Sequence, residues 1–199
     1  MNQIPRDLVA LLGSRICHDL ISPIGAIGNG LELMEMSRSA EGPEMDLIKA
    51  SLLNAQARIR FFRISYGATG DGQAIGSREV KSILQDFTIG GRVRIDWQTE
   101  GEVHRDDTKL VFLLLQCLDT AMPYGGDVRI TRSDRSWTLS AQAKKLKALP
   151  ELWSHLDGDP KPGPITPAQV QFALAPQQAA AMQRKLFVRV TDTEINLQF

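Results

Sequence analysis

The 199 residues suffice for one large domain or two small ones, and a hydrophobic share of 43% beside 23% charged residues excludes wholesale disorder. Lys plus Arg and Asp plus Glu both total 23, so no global imbalance points to nucleic acid or to a membrane surface. The two cysteines, Cys17 and Cys117, lie far apart in apolar contexts and read as reduced, packed thiols rather than a disulfide framework.

The N-terminal stretch "MNQIPRDLVALLGSR" lacks the basic start, apolar run and small-residue cleavage site of a signal peptide. No apolar stretch is read as reaching the roughly 18 residues of a membrane span, so a cytoplasmic protein is expected. The first helix follows, with Val9, Ile16, Leu20, Pro23, Ile27 and Met34 recurring at helical spacing and Leu12, Ile24 and Leu31 widening the stripe. "SRSAEGPEMD" supplies a break, with Gly42 ending one element and Pro43 suited to the first turn of the next. In the second helix Ile48, Leu52, Ala55, Ile59 and Phe62 share a face. An isolated helical hairpin leaves much of both stripes wet. Two remedies are open: pairing with a second copy into a four-helix bundle, or packing onto the rest of the chain.

"GATGDGQAIGS" supports no regular element and reads as a linker. Beyond it "REVKSILQDF" reads as a helix and "RVRIDWQTE" as a strand. "DDTKLVFLLLQCLDTAM" reads as a strongly apolar helix, with Asp106 or Asp107 as its cap. "GGDVRITRSDRSWTLSAQAK" is expected to form a hairpin turning at "RSDRS", "TPAQVQFALAPQQAAAMQ" a helix interrupted before Pro176, and "KLFVRVTDTEINLQF" a second hairpin. The expected class is α+β, with residues 1–68 a helical hairpin, 69–76 a linker and 77–199 an α/β layer domain.

The first helix carries the chemistry. His18 lies about 200° around the helix from Ile16 and from Leu20, so it points away from the apolar stripe. Ser22, Gly25 and Asn29 follow it on the same face, and Ser14 lies one turn before. The expected surface is an imidazole bordered by short side chains and open to another protein. Pro23 has no N–H and crowds the carbonyl of Asp19, so a bend is expected beside the histidine. Pro23 and Gly25 cost helix stability, about 3 and about 1 kcal/mol relative to alanine in an exposed interior. Histidine's ordinary pKa leaves its neutral, nucleophilic form abundant at cellular pH. Such a ring can accept a phosphoryl group and hand it on, with Asp19 orienting the ring or taking its proton. A lone exposed histidine is otherwise simply solvated.

"HDLISPIGAIGNGLEL" resembles the phosphoacceptor helix of the dimerisation and histidine-phosphotransfer domain of two-component kinases. Within that group it most closely resembles the ChpT-type histidine phosphotransferases of alphaproteobacteria. The resemblance rests on His18, Asp19, Leu20, Pro23, Ala26, Asn29, Gly30, Glu32 and Leu33, and more weakly on "LLLQCLDTAMPYGGDVRI". It implies a homodimeric four-helix bundle followed by a degenerate version of the histidine-kinase ATPase domain, an α/β sandwich. His18 would be the phosphorylated residue and Asp19 its acidic partner. Ser14, Arg15, Ser22, Gly25 and Asn29 would form the landing surface for receiver domains of a hybrid kinase and of response regulators. Mg²⁺ would come with the receiver, and no intrinsic cofactor, metal, nucleic acid or membrane is implied.

Kinase activity would need a magnesium-holding asparagine, and Thr120 stands in its place. It would also need a glycine-rich nucleotide lid, where "HLDGDPKPGPITPAQ" offers only Asp157-Gly158 followed by prolines. Loss of ATP binding is therefore expected. An active kinase with unusual loops and a non-catalytic adaptor for receivers are the alternatives.

Other residues fit packing or solvation better. His104 and His155 lack metal-ligand spacing, and Cys17 and His18 point to different helix faces. Gly25, Gly28 and Gly30 do not follow a strand, so they make no dinucleotide fingerprint. Trp97, Trp137 and Trp153 are scattered and read as packing residues. Arg58, Arg60 and Arg63 make the second helix locally basic, a solvated face that could also speed docking of an acidic partner.

Overall fold

The computed structural model describes residues 6–37, 42–70, 72–147, 149–158 and 164–199. Helix α1 (Arg6–Ser37) and helix α2 (Pro43–Tyr66) form the hairpin. Pro43 occupies the first turn of α2, where its missing N–H costs nothing, and Gly42 before it adopts a φ of 145° that a side chain would resist. Residues 38–41 of the expected break and residues 1–5 lie outside the described residues. The helices approach closely at Gly30, where a Cβ would stand 2.6 Å from Ile48 Cγ1.

The apolar stripes are covered only in part. Leu8, Pro23 and Gly30 are buried and Ile16, Leu20, Ile27 and Met34 half-buried, but Val9, Ile24 and Leu31 are exposed. In α2, Ala55 and Phe62 are buried while Leu52 and Ile59 are exposed. Helix α1 packs chiefly on α2, and α2 meets two further helices toward its C-terminal end, so neither stripe is fully covered. The reading that no stretch has the apolarity of a membrane span needs correction, since an 18-residue window within Asp7–Met36 reaches a mean hydropathy of 1.2. Small and aliphatic residues of the hairpin faces raise that value, and one such helix near the N-terminus is weak evidence of a span.

At its C-terminal end α2 enters the main core. Strand β1 (Ala74–Gly76) leads into helix α3 (Ser77–Thr88), strand β2 (Val93–Trp97), strand β3 (Glu102–His104) and helix α4 (Arg105–Ala121). Phe61 of α2 stacks on Phe87 of α3 and Phe112 of α4, with ring centroids 3.9 and 4.7 Å apart. Tyr66 reaches α4 as well, its hydroxyl donating to Gln116 Oε1 at 2.5 Å. Burial pushes the Tyr66 hydroxyl pKa up to about 12. The chain thus uses the packing remedy for the end of α2 and leaves the rest of the hairpin apolar.

The remaining elements are β4 (Gly126–Ser133), β5 (Ser136–Gln142), α5 (Pro150–Leu156), a 3-10 turn (Pro167–Gln169), α6 (Gln171–Ala181), β6 (Phe187–Val190) and β7 (Glu194–Gln198). Five strands form one sheet in the order β2-β4-β5-β7-β6, with β2 and β4 parallel and the other pairs antiparallel. Alternate residues along it, among them Ile130, Trp137, Leu139, Ala141, Ile195 and Leu197, are buried in one core with α4. Residues Leu110 to Leu118 of α4 are all buried, with Gln116 the one polar side chain among them.

Several expectations change. The stretch expected as a linker over 69–76 ends in a strand, because β1 pairs antiparallel with β3. His104, not an aspartate, caps α4, and it does so without a side-chain hydrogen bond; Asp106 and Asp107 lie inside the first turn. Helix α6 continues through Pro176, where an interruption was expected. The two hairpins, including the turn at Asp134 with φ 52°, form where expected.

Candidate functional site

Periodicity directs the His18 ring outward, and its side chain is 86% exposed. Its Nδ1 lies 3.1 Å from Asp19 Oδ1. A carboxylate can only accept, so the contact is a hydrogen bond when the ring proton sits on Nδ1, the tautomer that leaves the Nε2 lone pair facing solvent. Asp19 itself is only 12% exposed, and its second oxygen, Oδ2, accepts from Arg15 Nε at 2.7 Å. Arg15 Nη1 donates in turn to the carbonyl of Ala168 in the 3-10 turn, at 2.9 Å.

Arg15 is therefore not a free docking residue: its guanidinium is turned inward and engaged on two sides, with 19% of the side chain exposed. The other expected landing residues, Ser14, Ser22, Gly25 and Asn29, are exposed. A Cβ added at Gly25 would meet nothing within 4 Å. Pro23 is buried on the opposite side of α1. The result is a bare strip around a projecting imidazole.

Beneath Asp19 lies a cavity of about 190 Å³ between the hairpin and the sheet domain, lined among others by Arg15, Asp19, Arg58, Arg92, Gln116 and Asp119. Asp119 keeps surface open to this cleft yet is crowded by its walls. Burial raises its pKa, against the pull of Arg15, Arg58 and Arg92 and with the repulsion of Asp19. Sequence reasoning missed the inward role of Arg15, although its spacing of four from Asp19 was a readable signal. It also missed Asp119, Arg92 and Ala168, for which no local pattern exists.

At the position where a nucleotide-binding asparagine was sought, the Thr120 hydroxyl donates to the Gln116 carbonyl at 2.8 Å and accepts from Gln171 Nε2 at 2.9 Å. Gln171 is fully buried in α6, so that helix occupies the flank of α4. Asp157 ends α5 on the surface, and residues 159–163, in the stretch read as lacking a glycine-rich lid, lie outside the described residues. Arg58 Nε donates to Asn54 Oδ1 and Arg60 pairs with Asp86, while Arg63 is exposed. Trp97, Trp137 and Trp153 are buried, as packing residues should be. Both cysteines are free thiols; Cys117 is packed as expected, whereas Cys17 is exposed on α1 rather than packed. Among the described residues no three His, Cys, Asp or Glu side chains cluster as metal ligands.

Residues 77–194 match the model of the histidine phosphotransferase C-terminal domain. The chain belongs to the histidine phosphotransferase family. The matched stretch begins at the first residue of α3. Over 194 residues this phosphotransferase is 33% identical to the protein phosphotransferase ChpT of Brucella abortus (strain 2308), covering 94% of this chain and 92% of that one. A bacterial phosphotransferase solved at 1.7 Å resolution superposes with a TM-score of 0.80 at 31% identity, over 100% of this chain and 98% of its own. The protein is a histidine phosphotransferase of a phosphorelay, with the α+β fold expected for it.

Proposed function

We propose that His18 is the residue that carries the phosphoryl group, and that it exchanges this group with the phosphorylated aspartates of receiver domains. The observation that carries the reading is the 86% exposed ring whose Nδ1 is held on Asp19. With Nδ1 protonated, the Nε2 lone pair attacks the phosphorus of an aspartyl phosphate. The N–P bond forms, the P–O bond breaks, and its electron pair returns to the receiver's carboxylate. The ring becomes cationic with the proton still on Nδ1, beside the Asp19 carboxylate, which stabilises that charge. Transfer of this kind needs in-line placement and neutralisation of the phosphoryl oxygens more than covalent help from the protein. Mg²⁺ supplied by the receiver would provide that neutralisation. The steps reverse when a second receiver accepts the group.

The short side chains at Ser14, Ser22, Gly25 and Asn29 leave room for a receiver to bring its aspartate to Nε2. The adjoining sheet domain borders the cleft and offers it a second contact. The exposed apolar residues of α1 and α2 support a homodimer built as a four-helix bundle. ATP-dependent autophosphorylation is the second reading. The occupied Thr120 hydroxyl and the packing of α6 on α4 favour its loss. A cytoplasmic location fits an exchange with receiver domains.

Two parallel labelling reactions test this, one with radiolabelled ATP and one with a phosphorylated receiver domain as donor. Label should come from the receiver and not from ATP, and His18→Ala should abolish it without altering the fold. Label from ATP alone would make the protein a kinase. Label that persists in His18→Ala would remove His18 from the reaction.

A further inference from the structure

His18 and Asp19 are consecutive residues of α1; the histidine ring stands in solvent, and among the described residues its one hydrogen-bond partner is Asp19. The orientation of the nucleophile therefore depends on how firmly Asp19 is held. We propose that Arg15 is the positioning residue of the transfer reaction, locking Asp19 against His18 and tying that lock to the second domain through the Ala168 carbonyl. The inference rests on the reading of His18 as phosphoacceptor.

Three observations converge on it. The two oxygens of Asp19 are divided, Oδ1 to His18 Nδ1 and Oδ2 to Arg15 Nε, so the carboxylate plane is fixed from both ends. The guanidinium is itself held at a second point, because Nη1 donates to Ala168 across 153 residues of sequence. The Ala168 carbonyl is presented by a built element: Thr166 and Gln169 form a capping box, with the Thr166 N–H and hydroxyl both donating to Gln169 Oε1 at 3.1 and 2.9 Å. A planar fork with several donors can serve two acceptors at a set angle, whereas a lysine ammonium is a single point on a flexible stem. Charge alone would not require arginine here; two-point geometry does.

The chemical consequence concerns the ring proton. Only a carboxylate oxygen held beside Nδ1 keeps the proton there and Nε2 free to attack. An Asp19 released from Arg15 can rotate away, and the ring then populates the Nε2–H form, which has no lone pair at the outward nitrogen.

Nitrogen-15 spectra of the histidine rings in the full-length protein read this directly, with His18 assigned by comparison with His18→Ala. The wild-type ring should show the Nδ1–H tautomer, and Arg15→Gln should shift it toward Nε2–H. Transfer from a phosphorylated receiver to the Arg15→Gln protein should slow by about tenfold or more, the scale expected when a reacting group is misplaced. Arg15→Lys should recover little of that rate. In an Asp19→Asn background Arg15→Gln should cost nothing further, because Arg15 acts through Asp19. If Arg15→Gln disturbs folding in a thermal melt, Gln169→Leu loosens the same tether from the other side and should shift tautomer and rate in the same direction. An unchanged tautomer and rate in folded Arg15→Gln, or full rescue by lysine, would overturn the proposal. Wild-type protein labelled elsewhere than His18 would instead overturn the phosphoacceptor reading, leaving the tautomer measurement to judge the lock alone.

Discussion

Asp119 sits on the wall of the cleft beneath α1, and its electrostatics make a testable claim. Burial raises its carboxyl pKa, although three arginines pull the other way. An unfolded aspartate titrates near about 3.9. Between that value and the raised one the folded state holds a proton that the unfolded state has lost, so stability falls as pH rises through this window. The contribution is fully present below about pH 4. At pH 7 the crowded carboxylate is a cost, and Asp119→Asn keeps its shape without the charge. The variant should melt above the wild type at pH 7, with the gap narrowing as pH falls and closing near pH 4. A series of thermal melts reads it; a variant that melts lower at pH 7 would mean that the arginines outweigh burial. At this scale the site was only half legible. Helical angles are enough to turn His18 outward. They cannot show that Arg15 spends its donors on Asp19 and on a carbonyl brought in from the far end of the chain.

Two glycines of α1 separate the demands made on that helix. A Cβ at Gly30 would strike Ile48 Cγ1 at 2.6 Å, inside the hairpin, whereas one at Gly25 would meet nothing within 4 Å. Alanine is the better helix former by about 1 kcal/mol. Gly25→Ala should therefore stabilise the protein by about 0.5–1 kcal/mol, and Gly30→Ala should destabilise it. Gly25 lies two turns from His18 on its exposed side, so the stabilised variant should also accept phosphoryl groups more slowly from a receiver. Paired melts and transfer rates check this; a Gly25→Ala protein that is both more stable and as fast would show that the strip needs no glycine for docking. Elements that sequence anticipated, such as α3, β2, β4, β5 and β7, bury one face and so show a period. Strands β1 and β3 span three residues each, too few for any alternation to register, and α5 is a seven-residue helix of mixed composition. The cap of α4 was misplaced because an aspartate caps only from outside the helix, and the paired strand β3 carries the chain up to His104 in extended form.

Across the whole molecule, the apolar residues left exposed follow a pattern. In α2, Leu52 and Ile59 stand seven apart, 47% and 53% exposed, and Ile24 and Leu31 repeat that spacing in α1. Exposed seven-residue rows on two helices are what the proposed second hairpin would cover. Leu52→Asp with Ile59→Asp would place two charges in the α2 row. Light scattering should then report the mass of two chains for the wild type and of one for the double variant. The wild-type melting temperature should rise with protein concentration, and that of the variant should not. The variant should keep its fold, because the Phe61–Phe87–Phe112 stack anchors α2 to the sheet domain without help from that row. It should also still accept a phosphoryl group. Asp19, Arg15 and Ala168, which orient His18, all belong to the same chain, so one protomer holds a complete nucleophile. A folded, single-chain variant that takes no label would assign part of the landing surface to the second copy. A variant that takes label as the dimer does would make the bundle a scaffold that stabilises the helix and leaves the chemistry to each chain alone.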